Sequence, residues 1–172
     1  MTILNTIKSR YSVRKYEERP VEQEKVDAIL EAAHCAPTAA NMQPQKILVI
    51  QKPENLEKFS EGANTYNAPL VMLVCADLEA AWIRPFDGKN MVDIDATIVT
   101  DHMMLTATEL GLGSCWITYF DPKAIRAAFK LPDNLVPVNI LAIGYAADQP
   151  QAPNRHTQTR KALNQTVSFE SL

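Results

Sequence analysis

Residues 92–110 form a run that few small folds can accommodate except at their centre. Ile94, Ile98, Val99, Met103, Leu105, Ala107 and Leu110 recur at helical spacing but spread around most of the circumference. A helix apolar on most sides is covered on most sides. In a chain of 172 residues it must be either a central core helix or one shared with a second subunit. Asp93 and Asp95 stand at its start, where carboxylates cap the helix and oppose its dipole. They are two apart and on different faces, so they do not read as a metal pair. Gly111 and Gly113 are expected to close the helix as C-cap residues.

The other elements follow from shorter patterns. Residues 2–9 read as a short helix. Pro20 marks a second helix start, with Glu22 and Glu24 in the first turn and Val26, Ile29, Leu30 and Ala33 on one face over 21–35. Ala36-Pro37 ends it, and 37–45 is a polar loop. The uninterrupted apolar runs 47–50 and 70–75 read as strands covered on both faces, with a modest helix at 53–63 between them. Residues 77–90, with Trp82 and Phe86, show no period and read as a loop or mobile flap. A strand over 114–118, a helix from Asp121-Pro122 to Phe129 and a strand over 138–145 complete the core, and the polar tail from Asp148 reads as an extended arm. The class is α+β in a single domain over 1–172.

The net charge of −3 and pI near 5.6 exclude nucleic acid and anionic membrane as main partners. Cys35, Cys75 and Cys115 form no CxxC pair and read as buried thiols of a reduced protein. No apolar run reaches membrane-spanning length, so the expectation is a soluble, cytoplasmic protein. His34 and His102 are expected to be buried structural residues and His156 an exposed one. Gly111-x-Gly113 ends a helix and lacks the third glycine of a dinucleotide fingerprint.

Against this acidic background one basic cluster is conspicuous. Arg10, Ser12, Arg14 and Lys15 fall within six residues. In an extended segment positions 10, 12 and 14 share a side; in a last helical turn Arg10 and Arg14 stack at i,i+4. Either way two guanidiniums and a hydroxyl meet, a donor set suited to a phosphate dianion.

The ordered pieces Arg10-Tyr11-Ser12-Val13-Arg14, Ala36 to Pro44, Ala68-Pro69, Ile94-Asp95-Ala96, Glu109 to Ile117, Phe120-Asp121-Pro122 and Arg160-Lys161 resemble the nitroreductase family over nearly the whole chain. The resemblance implies a central, mostly antiparallel sheet flanked by helices, a long buried helix and an extended C-terminal arm. It also implies FMN held between the two subunits of a homodimer with shared active sites. Arg10, Tyr11, Ser12, Arg14 and Arg160 correspond to its phosphate and ribityl site. Pro37, Thr38, Ala39, Ala40, Asn41 and Gln43 resemble a loop delivered by the partner subunit. Asn64, Trp116, Ile117 and Thr118 would line the flavin, with a backbone N–H near Thr118 or Tyr119 facing N5. Trp82, Phe86 and Tyr119 would bound a small-molecule substrate. The implied activity is ping-pong transfer from NADH or NADPH to nitroaromatic, quinone or similar acceptors, in which no side chain acts as nucleophile. Dehalogenation, flavin fragmentation and non-catalytic or regulatory flavin binding remain alternatives. Gln45 and Thr118-Tyr119 depart from the family pattern, which bears on substrate range.

Overall fold

The computed structural model describes residues 2–171. Four strands, β1 (Gln45–Ile50), β2 (Leu70–Asp77), β3 (Gly113–Ile117) and β4 (Leu135–Gly144), pair antiparallel in the order β1-β2-β4-β3. The helices are α1 (Ile3–Ser9), α2 (Gln23–His34), α3 (Pro53–Ser60), α4 (Val92–Glu109), α5 (Pro122–Phe129) and α6 (His156–Thr159).

Strand periodicity builds the three layers. Along β2, Leu70, Met72, Val74 and Ala76 pack with α2 and α4, whereas Val71, Leu73 and Cys75 pack with Phe59 of α3 and Ile125 of α5. An apolar run with both faces covered is the usual mark of parallel sheets; here it serves an antiparallel one. β1, by contrast, is an edge strand and only partly covered, so its expected burial on both faces does not hold. Pro137 is tolerated in β4 because the register shifts beside it, at Val74/Cys75, and because β3 pairs only with Ile140 onward.

Several boundaries differ from the sequence expectation. α2 begins at Gln23, not at Pro20, because the Glu22 carboxylate is engaged by the Tyr145 hydroxyl at 2.6 Å and the preceding Val21 is drawn into the core. Gly111, at φ +76, does close α4: the Leu112 N–H reaches the Ala107 carbonyl and the Gly111 N–H the Thr108 carbonyl. Gly113 instead opens β3. A Cβ there would sit 2.6 Å from Val13 Cγ2, so it is needed for close approach. Cys35 and His34 are exposed rather than buried, since α2 turns them outward. α4 is not enclosed on every side. Ile94 is 44% exposed, and beside α4 the short α1 leaves Ile3 at 74% and Leu4 at 55%. No described helix is long and apolar enough to cross a membrane.

Candidate functional site

The basic segment is placed by the outer edge of the sheet. α1 ends at Ser9, and Arg10 turns out of it with φ −58 and ψ 131. The chain then runs alongside β3: Ser12 bridges Ser114 in parallel, and the Val13 N–H donates to the Ser114 carbonyl at 3.0 Å. Val13 is fully buried. Its neighbours Arg10, Tyr11, Ser12 and Arg14 all line one cavity of about 280 Å³.

The opposite wall comes from the other end of the chain, in Gln151, Arg155, His156, Thr159 and Arg160. The tail is therefore not simply extended. It forms short turns that dock on the end of α1, and the docking is electrostatic. Arg155 donates to the carbonyls of Lys8 at 3.1 Å and Arg10 at 2.5 Å, and His156 Nε2 lies 3.3 Å from the Lys8 carbonyl. These carbonyls lie at the C-terminus of α1, where cations are favoured. His156 is accordingly half-buried rather than exposed. The Tyr11 hydroxyl closes the rim by donating to Asp148 at 3.0 Å.

The electrostatics of the cavity are one-sided. No carboxylate lines it, and among the described residues no ion pair involves Arg10, Arg14, Arg155 or Arg160. Burial, then the neighbouring Arg155 and Arg160, hold the Arg10 guanidinium below its ordinary pKa, with Asp101 opposing. Asp101 lines an adjoining apolar cavity of about 790 Å³ that shares Arg10, His156 and Arg160. Crowded guanidiniums that Asp101 offsets only in part, with the hydroxyl residues Ser12 and Thr159 lining the same cavity, fit a phosphate monoester, which would supply further negative charge. Arg155 is absent from the sequence-derived set. Its only sequence signal is a second arginine five residues before Arg160. Arg14 is exposed and stands over the Tyr66 ring at 6.0 Å.

A second cluster lies where β3 ends. Asn64, Tyr119, Phe120 and Asp121 line one cavity of about 400 Å³. Asn64 Oδ1 accepts the Tyr66 N–H at 2.9 Å, which supports the left-handed backbone at Tyr66 and Asn67 (φ 58 and 56). Tyr119 is 95% exposed. Trp116 and Ile117 do not present their side chains here: they pack against the two core layers, because strand alternation turns each into the protein. Only their backbone, with exposed Thr118, is available.

Residues 37–43 lie elsewhere. Pro37, Thr38, Ala39, Ala40, Asn41 and Gln43 lead into β1, the opposite edge of the sheet from β3. From the Gln45 row to the Ser114 row is about six residues along the strands and three strand spacings across. At about 3.3 Å and 4.8 Å each, the diagonal is about 24 Å. Within one chain the loop and the basic cavity are therefore far apart. The loop is strained: Ala40, Asn41 and Gln43 have φ of 50, 55 and 51. It is tied internally by the Gln43 N–H to Thr38 Oγ1 at 3.0 Å, and externally by the Ala39 N–H to Asp95 Oδ1 at 2.8 Å. Asp95 thus receives the loop rather than capping its own helix. Trp82 and Phe86 belong to the 77–90 segment, whose first residue meets Pro44, just after this loop. Ile83 pairs with Asn90, Arg84 with Asp87, and the Asp77 N–H donates to the Pro44 carbonyl at 2.8 Å. Phe86 is 94% exposed and Trp82 half-buried. The 77–90 segment is a loop, as expected, and its 83–90 part is braced as a tight hairpin-like turn.

His102 is half-buried, with Nδ1 3.0 Å from the Ile98 carbonyl. Among the described residues no group of three metal-ligating side chains exists.

A family model described as "Nitroreductase family" matches residues 7–65 and 57–145. The crystal structure of a nitroreductase family protein from Clostridium difficile 630 is 53% identical over the whole of both chains, with a TM-score of 0.98. An FMN-dependent nitroreductase from Clostridium difficile R20291 is 32% identical, covering 98% of this chain and 99% of that one, with a TM-score of 0.81. A protein of Methanothermobacter thermautotrophicus, provisionally named NADH dehydrogenase/NAD(P)H nitroreductase, is 34% identical over 158 residues, 87% of this chain and 80% of its own.

Proposed function

The chain belongs to the nitroreductase family, and from that premise we propose that it holds the phosphate of FMN in the Arg10–Arg160 cavity and passes reducing equivalents from NADH or NADPH to nitroaromatic, quinone or similar acceptors. It is an NAD(P)H oxidoreductase with FMN as cofactor, as the relatives' names indicate. FMN, when bound, would supply the redox chemistry that links nicotinamide to acceptor. The chain's own groups bind, orient and enclose.

Arg10 and Arg160 supply the charge for the phosphate and Ser12 a hydroxyl donor. Arg155 fixes the tail that carries Arg160. The backbone at Thr118 and Tyr119, beside Asn64, is the segment that would face the ring. There a preorganised N–H favours whatever negative charge develops. The 37–43 loop, some 24 Å from the cavity along the sheet, meets the same flavin only if a second subunit delivers it. The exposed apolar side chains of α1 and α4 support such a homodimer. Trp82 and Phe86 would then bound the acceptor from the partner's side.

The observation that carries this reading is the convergence of Arg10, Arg155 and Arg160 from opposite ends of the chain on one cavity without a carboxylate. Its test is an absorption spectrum of the purified protein, followed anaerobically through addition of NADH and NADPH. A yellow protein bleached by either nicotinamide supports it. A colourless protein that takes up no added FMN overturns it.

A further inference from the structure

Asp95 is the acidic residue among the described ones that is withdrawn from solvent, at 1% exposure. It lies in the first turn of α4, where the helix dipole favours its charge. One oxygen accepts the Ala39 N–H at 2.8 Å. The other, Oδ2, is buried and has no hydrogen-bond partner among the described residues. The segment it grips holds three left-handed non-glycine residues within four positions, a backbone that persists only where something holds it.

We propose that Asp95 is a positioning residue for the flavin. By fixing the Ala39 amide it keeps the 38–43 loop in the shape that meets the cofactor, without touching the cofactor itself. This rests on the reading of that loop as part of the FMN site. A charge-assisted bond from the helix suits the task, because a neutral loop contact would compete weakly with relaxation of the strained residues.

The test is a cycle of variants read by FMN titration of flavin-free protein. Asp95→Ala removes the acceptor. Ala39→Pro removes the donor, and Thr38 already holds φ −131 and ψ 158, the extended shape that a following proline requires. Each is expected to weaken FMN binding roughly tenfold, the scale for losing a charged hydrogen bond, and the double variant no further than the worse single one. Multiplying effects in the double variant, or a change below twofold in Asp95→Ala, overturns the proposal. If either variant fails to fold, Asp95→Asn decides through hydrogen exchange at the Ala39 amide in flavin-free protein. Faster exchange than wild type supports the clamp, and an equal rate sinks it. Failure of the wild-type protein to take up FMN would sink the functional reading instead, so the two failures are distinguishable.

Discussion

Replacing Arg10 by methionine removes a charge from the cavity while keeping the aliphatic stem that packs beside α1, and its effects on binding and on stability have opposite signs. A hydrogen bond to a charged group is worth about 1.5–3 kcal/mol, so FMN affinity should fall roughly 10- to 150-fold. The flavin-free protein should respond the other way. A cavity of about 280 Å³ is about 8 Å across if treated as a sphere. At that separation two guanidiniums repel by about 2 kcal/mol at an effective dielectric constant of 20 and about 0.5 kcal/mol in bulk water. Arg10 faces both Arg155 and Arg160, with Asp101 offsetting part of that repulsion. The net relief is therefore about that of one pair, and Arg10→Met should raise unfolding stability by about 0.5–2 kcal/mol in low salt, and less at high ionic strength. The assay is a fluorescence titration of wild-type and variant apoprotein with FMN and with riboflavin, which lacks the phosphate, beside urea unfolding without ligand. Riboflavin affinity should stay within about twofold, because only the phosphate contact is lost. If riboflavin binding falls as much as FMN binding, Arg10 does not meet the phosphate. If the apoprotein loses stability, the cavity is not a site of net positive charge.

Arg155→Ala should release the tail from α1, since its guanidinium bonds the Lys8 and Arg10 carbonyls. The expected result is faster limited proteolysis beyond Asp148 together with weaker FMN binding, and unchanged protease sensitivity would refute it. Gly113→Ala places a methyl 2.6 Å from Val13 Cγ2, an overpacking cost of about 1–3 kcal/mol in urea unfolding. FMN affinity should fall with it, because Val13 anchors the Arg10–Arg14 segment; intact stability would show that the neighbours yield freely. Alkaline stability should fall as well. Burial, then the bond to Asp148, push Tyr11 up to about 12, and burial also raises Tyr16. An unfolded tyrosine ionises near pH 10, so this stability is fully present below about pH 10 and is lost as pH rises towards 12, by about 1 kcal/mol for Tyr11, whose exposure to water screens most of the effect. Tyr11→Phe should flatten that part of the profile, and an unchanged slope between pH 9 and 12 would refute the assignment.

Much of this arrangement can be read from residue patterns. The apolar run at 70–75, the spread of apolar positions around 92–110 and the Asp121-Pro122 start each predict the element found, because burial and capping act locally. What sequence does not carry is the route by which distant groups meet. Pro20 looks like a helix start but lies before one, since Glu22 is drawn to Tyr145. Asp95 reads as a cap, yet its partner is Ala39, 56 positions away. The tail reads as an extended arm because single polar residues give no period, whereas its fold depends on carbonyls at the end of α1. Of the candidate site, Arg10, Tyr11, Ser12, Arg14 and Arg160 do come together. The separation of the 37–43 loop from them is a property of strand order, which no local pattern encodes.

The bond from the Val13 amide to the Ser114 carbonyl has a consequence for handling the protein. β3 is the outermost strand on its side, and an unprotected strand of this kind recruits foreign strands. The segment that presents Arg10 and Arg14 also shields that border, through Ser12 and Val13. Substitutions that loosen it should therefore make the protein precipitate on concentration as well as weaken the proposed FMN phosphate site.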